Sequence, residues 1–154
     1  MNPAIQSISQ EMSVLARLLT AKMSDPVIAS MDRSAYLLLS ELERAGALSI
    51  GVLADLLFLD ISTASRQVAQ LEGKELVARF PDPKDGRGSL VEVTDKGRAR
   101  YMEVRAARWR AYERILCSWD HQEIDQLEQL LERFTKDMRS FKKRAYDNEP
   151  GSRV

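Results

Sequence analysis

The 154-residue chain is 44% apolar and 30% charged and carries no formal net charge, the composition of a globular domain able to bury a core of its own. No apolar run approaches the ~20 residues of a membrane span, and the opening MNPAIQSISQEMS lacks the basic and apolar regions of a secretory signal, so a cytoplasmic protein is expected. The single cysteine, Cys117, excludes an intramolecular disulfide and any cysteine-clustered zinc site.

Near the N-terminus Ile5, Ile8, Met12, Leu15 and Leu19 step by three and four, which predicts a helix over residues 4–23 with one narrow apolar seam. Ser24, Asp25 and Pro26 end it. Asp32 is the expected N-cap of a second helix, whose Tyr36, Leu37, Leu38, Leu39 and Leu42 are apolar on too many sides to be peripheral, and Gly46 stops it. Ser49 caps a third helix over 49–58 that buries Ile50, Leu53, Ala54, Leu56 and Leu57. Only two or three residues then precede a further helix beginning at Asp60. Two short helices joined by so tight a turn form the helix-turn-helix pattern, with the second as the recognition helix.

In that second helix Ile61, Ala64, Val68 and Leu71 form one apolar stripe. Ser62, Thr63, Ser65, Arg66, Gln67 and Gln70 are left facing outward. A solvated face usually carries Glu/Lys pairs; hydroxyls, amides and a guanidinium instead suit phosphates and base edges in a major groove.

After Leu76 the period changes to two. Val77 and Arg79 are expected to share a face with Leu90 and Glu92, and Ala78 and Phe80 with Val91 and Val93, in a two-stranded hairpin. The intervening PDPKDGRG has two prolines and two glycines in eight residues and must be a loop. Thr94 caps a long helix over 95–118 whose apolar positions thicken toward Val104, Trp109, Tyr112, Ile115, Leu116 and Trp119. Asp120 and Glu123 give a start signal akin to a capping box, followed by Ile124, Leu127, Leu131, Phe134, Met138 and Phe141 at spacings of three and four. The terminal YDNEPGSRV reads as a frayed tail.

The expected organisation is therefore an N-terminal dimerisation helix and linker (1–32), a winged helix-turn-helix domain (33–98), C-terminal dimerisation helices (99–146) and a flexible tail (147–154). The fold class is mainly α with a small β wing. Seams on terminal helices need a partner that the small central domain can hardly supply, which implies a homodimer. Charge is unevenly spread: residues 61–110 hold 11 Lys+Arg against 7 Asp+Glu, while 118–149 hold 6 against 8. The basic excess surrounds the proposed reading helix.

The order of elements, with STASRQVAQLEGKELVAR, the loop DPKDGRGSLVEVT and the following DKGR, resembles the MarR family of winged helix-turn-helix regulators, most strongly over 34–101. The resemblance implies a homodimer of triangular outline on double-stranded DNA, bound at a pseudopalindromic operator near its own or a neighbouring gene. It implies release by an oxidant or a small, often aromatic ligand. By position, Ser62, Thr63, Ser65, Arg66 and Gln67 would meet the major groove. Lys84, Asp85 and Arg87 would form the wing contact, with the arginine in the minor groove and the aspartate helping to hold it. A narrow minor groove does attract a guanidinium at a loop tip, although Gly86 here replaces the basic residue often found between Asp85 and Arg87. The family's effector pocket, where dimer helices meet the DNA-binding domain, suggests Arg17, Tyr36 and Trp109.

Cys117, near the end of a dimer helix rather than in the N-terminal helical region where the family's sensing cysteines sit, reads as a buried inert thiol. His121, the only histidine, reads as a surface residue. The sequence offers no nucleophile-base pair, glycine-rich phosphate loop or metal cluster, so no catalysis, metal or cofactor is expected. The alternative reading is a winged-helix module that docks another protein without specific DNA binding.

Overall fold

A computed structural model describes residues 2–21 and 24–147. The chain divides at Trp109 into two compact units. The first opens with α1 (Pro3–Thr20), capped by the Asn2 side chain with Pro3 at the first helical position. The helix stops short of the expected 23, and Met23 lies outside the described residues. Asp25 does not simply end a helix. Its carboxylate accepts from the amides of Val27 and Ile28 and starts the one-turn helix α2 (Pro26–Ala29).

Helix α3 (Arg33–Ala45) is capped by Asp32, at 2.8 Å from the Ala35 amide, and closed by Gly46 at φ 80°, a conformation that costs glycine nothing. A short strand β1 (Leu48–Ser49) leads into α4 (Ile50–Leu57), capped by the Ser49 hydroxyl. Residues 58–60 make the turn into α5 (Ile61–Gly73), and Asp60 caps that helix as expected. Strands β2 (Val77–Pro81) and β3 (Ser89–Val93) follow, then α6 (Asp95–Ile115).

The sheet has three strands in the order β1-β3-β2, all antiparallel, so the expected hairpin is extended by the two residues of β1. Its register corrects the expected faces. Val77 pairs with Val93 and Arg79 with Val91, while Ala78 pairs with Glu92 and Phe80 with Leu90. A slip of one residue exchanges the faces of a strand, and this register is the one that buries both Val77 and Val91.

Beneath the sheet Leu38, Leu39 and Leu42 of α3, Leu53 of α4, Val68 and Leu71 of α5 and Val91 of β3 form one core with Tyr101 and Val104 of α6. At roughly 1.5–3 kcal/mol for each large side chain withdrawn from water, this cluster holds the helix-turn-helix against the wing. Helix α3 is less completely enclosed than its composition suggests, because Leu37 stays exposed. In α6 the buried residues are Gly97, Tyr101, Val104 and Ala107, in the first half. The aromatic second half, with Trp109, Tyr112 and Ile115, is exposed.

The start of α6 is tied to the end of β2's approach through Thr94. Its hydroxyl accepts from the Gly97 amide at 3.0 Å and donates to the Glu75 carbonyl at 2.7 Å. Thr94→Val leaves both partners without their bond. It should lower stability by ~1–2 kcal/mol, read as a lower urea midpoint at unchanged slope.

The second unit contains the end of α6, a turn and α7 (His121–Asp147). The capping box is present in both directions: the Glu123 amide donates to Asp120 at 2.8 Å and the Asp120 amide to Glu123 at 2.9 Å. His121 is exposed as expected. Cys117 is exposed too, which corrects the expectation of a buried thiol, because the turn after Ile115 carries it out of the helix's apolar row. Of the expected tail, 148–154 lie outside the described residues.

Candidate nucleic-acid interface

Helix α5 turns Ala64, Val68 and Leu71 into the core, and this alone decides which side chains remain outside. Ser62 and Arg66 are exposed, and Thr63, Ser65 and Gln67 are half-buried. Ile61 does not follow the stripe to which its spacing assigns it. It is 65% exposed, because the helix runs one turn past the core before it meets the cap.

At that end Asp60 organises its neighbours. Its Oδ1 accepts from the Thr63 amide at 2.7 Å and from the Ser62 hydroxyl, and its Oδ2 accepts from the Thr63 hydroxyl at 2.7 Å. The hydrogen bond from Ser62, followed by those from Thr63, holds the Asp60 carboxyl well below the usual carboxylate range. The cap's contribution to stability is accordingly present above the ordinary carboxylate value and lost only as pH falls below it. Two of the candidate contact residues thus have their hydroxyl protons committed within the chain.

The wing loop is closed by a hydrogen bond from the Asp82 amide to the Gly88 carbonyl at 3.0 Å. Inside it the Asp82 carboxylate accepts from the Lys84 amide at 2.8 Å, and the Asp85 carboxylate from the Arg87 amide at 3.2 Å. Asp85 therefore shapes the backbone at Arg87 rather than pairing with its guanidinium. Lys84, Asp85 and Arg87 are all exposed. The wing is fixed to α5 by the Arg79–Glu72 ion pair at 3.2 Å.

The distribution of ion pairs sorts the cations. Arg79, Lys96, Arg98 and Arg100 each face a carboxylate, on Glu72, Glu75, Glu43 and Glu103 respectively. Arg66, Lys74, Lys84 and Arg87 form no ion pair among the described residues. Arg98, the last residue of the expected reading domain, is thus engaged with Glu43 at 3.4 Å. Within the helix-turn-helix and the wing, the cations without a carboxylate are thus Arg66 on α5, Lys74 at its end, and Lys84 and Arg87 on the wing loop.

The three candidate effector residues differ in their surroundings. Tyr36 is partly buried, with its ring centroid 5.2 Å from that of Tyr101 and the Arg108 guanidinium 4.6 Å above it. Burial raises the Tyr36 phenol above its ordinary value and Tyr101 adds to this, while Arg108 and Arg105 act in the opposite direction. Arg17 and Trp109 are exposed. A cavity of about 550 Å³ lies elsewhere, over Met31, Ala35, Leu71 and Leu76 with Lys74 and Arg100 at its rim, and none of the three lines it. Neither Arg108 nor this cavity was marked by the sequence pattern, since a cation over an aromatic ring is made by residues far apart in the chain.

A polar helix after a tight turn, followed by a β hairpin whose loop exposes Lys84 and Arg87, defines a winged helix-turn-helix reader. The MarR family model matches residues 31–89. The HTH-type transcriptional regulator YxaD of Bacillus subtilis (strain 168) is 38% identical over 136 residues, covering 88% of this chain and 94% of that one. The chain belongs to the MarR family and is a MarR-type transcriptional regulator. Solved structures agree with the fold. RV1404 from Mycobacterium tuberculosis superposes with a TM-score of 0.70 at 28% identity, over 86% of this chain and 92% of its own. A mutant MarR from E. coli complexed with operator DNA superposes with a TM-score of 0.66 at 23% identity, over 86% and 94%. Among the described residues no helix is long and apolar enough to cross a membrane.

Proposed function

We propose that the protein is a homodimeric repressor that binds a pseudopalindromic operator near its own or a neighbouring gene. In this reading Ser62, Thr63, Ser65, Arg66 and Gln67 face the major groove, and Lys84, Asp85 and Arg87 carry the wing contact. The observation that carries it is the placement of unpaired cations: Arg66 on α5 and Lys84 and Arg87 on the wing keep their charge available, while Arg79, Lys96, Arg98 and Arg100 are paired. Two recognition helices about one DNA turn apart, ~34 Å, would then occupy successive major grooves. The operator complex of the E. coli relative is consistent with this use of the fold. Fluorescence anisotropy on duplexes from the gene's own upstream region, against scrambled duplex at two salt concentrations, tests the reading. Selective binding that weakens steeply with salt is expected; equal, weak binding to both duplexes contradicts it.

The dimer reading rests on apolar faces left uncovered in each unit. Ile5, Ile8, Leu15 and Leu18 of α1 and Leu131, Phe134, Met138 and Phe141 of α7 are exposed at helical spacings, which is the pattern of helices awaiting partners. Phe134→Asp should convert a dimer to a monomer in sedimentation velocity at micromolar concentration. In the cell a small aromatic ligand releases the DNA in this reading, with Arg17, Tyr36 and Trp109 as candidate contacts. The Tyr36–Tyr101–Arg108 cluster offers such a ligand a stacking surface and a cation, and loss of anisotropy in a screen of aromatic acids and phenols would identify it.

A further inference from the structure

Ile61 is a large aliphatic side chain at the leading end of the reading helix, and 65% of it is open to solvent. Residues four apart on a helix lie one above the other on the same face. Ile61 therefore stands in a row with Ser65, directly beside the row formed by Ser62 and Arg66. The neighbouring chemistry is constrained. The Ser62 and Thr63 hydroxyls donate to Asp60, and the Asp60 carboxylate places a negative charge at this end of the helix. Phosphates, which are acceptors and anions, are poorly served there. What the tip offers a duplex is an aliphatic surface flanked by hydroxyl lone pairs. In a major groove the apolar feature that distinguishes one base pair from the others is the C5-methyl group of thymine.

We propose that Ile61 is a specificity-determining residue that reads a thymine methyl in each operator half-site. The inference rests on the operator-binding reading above and adds a contact to it. Burying one methyl-sized group is worth about a fourfold change in affinity for each half-site. Alanine is a better helix former than isoleucine, and an exposed side chain leaves no cavity when shortened, so Ile61→Ala should fold normally and retain its circular-dichroism melt.

The test begins with the full-length protein and duplexes selected from a random pool for tight binding. Each thymine of a half-site is then replaced singly by uracil, which removes only the methyl group. For the wild type, a uracil in one half-site should weaken binding about fourfold, and one in each half-site about sixteenfold. Ile61→Ala, altered in both protomers, should bind the thymine duplex with a loss comparable to that of the doubly substituted duplex and be indifferent to the same uracils, while Ile61→Val should keep most of the discrimination. Selective wild-type binding with no methyl-sensitive thymine overturns the inference while leaving operator binding intact. So does an Ile61→Ala variant with an undiminished uracil penalty. Failure of the selection to enrich any sequence overturns both readings together.

Discussion

Replacing Gly97 by alanine is expected to lower the melting temperature by roughly 6–12 °C, corresponding to a loss of about 3 kcal/mol in a domain of this size. Gly97 lies in the first turn of α6, where the helix passes directly over the backbone of Leu76. A Cβ built on Gly97 would sit 1.9 Å from the Leu76 carbonyl oxygen and 2.8 Å from its carbonyl carbon. These are backbone atoms, and they have no rotamer to escape into. The Leu76 carbonyl is also held in place, because it accepts from the Thr94 amide at 3.1 Å, while Thr94 itself binds the Gly97 amide and the Glu75 carbonyl. Relief of the clash must therefore shift α6 away from the end of α5 and disturb Tyr101 and Val104, which lie one and two turns further along the same helix and are buried. Differential scanning calorimetry or a thermal melt by circular dichroism measures the shift. A fall of less than about 2 °C would mean that α6 can lift from Leu76 at little cost, and that the close approach is not what seats the helix.

The contrast between Gly97 and the caps shows which parts of this fold a sequence displays. Asp32, Ser49, Asp60, Thr94 and the Asp120–Glu123 pair each bind amides within three residues. Their spacing alone reports them. The recognition helix was legible for the same reason, because its stripe of Ala64, Val68 and Leu71 leaves Ser62, Arg66 and Gln70 outside. Contacts between distant segments were not legible. Strand β1 is two residues long and has no period of its own. The pairing of Val77 with Val93 depends on how the loop 82–88 closes, and the alternating pattern of β3 was compatible with a register displaced by one residue. In α6 the buried positions include a glycine and an alanine, which sequence reading passes over when it looks for large apolar residues. Large apolar side chains such as Trp109 and Ile115 meanwhile extend past the core. Ile61 is the same effect at a helix start: periodicity assigns it a face, but only the position of the core decides whether that face is covered.

Arg66→Ala is expected to weaken operator binding by roughly 1–3 kcal/mol per half-site and to relax the sequence preference at one base step. If both protomers engage, the loss in affinity is about thirtyfold at the least. The reason lies in the charges around it. Arg66 is exposed on α5 and has no carboxylate partner among the described residues. Its guanidinium therefore need not break an internal ion pair before it donates to a guanine edge or a phosphate. Arg87→Ala should act differently. The Arg87 amide is held by the Asp85 carboxylate within a loop closed between Asp82 and Gly88, so the backbone at the wing tip keeps its shape when the side chain is shortened. What is lost is a cation suited to a narrow minor groove, and the penalty should be larger on A·T-rich flanks than on G·C-rich ones. Lys84→Ala, in contrast, should weaken binding to all sequences alike and reduce the salt dependence by about one ion per half-site. Anisotropy titrations of the three variants on a small set of duplexes, with folding checked by circular dichroism, separate these patterns. If Arg66→Ala and Arg87→Ala both leave operator affinity unchanged, the free cations of α5 and the wing serve some other surface, and the duplex must be read by residues outside them.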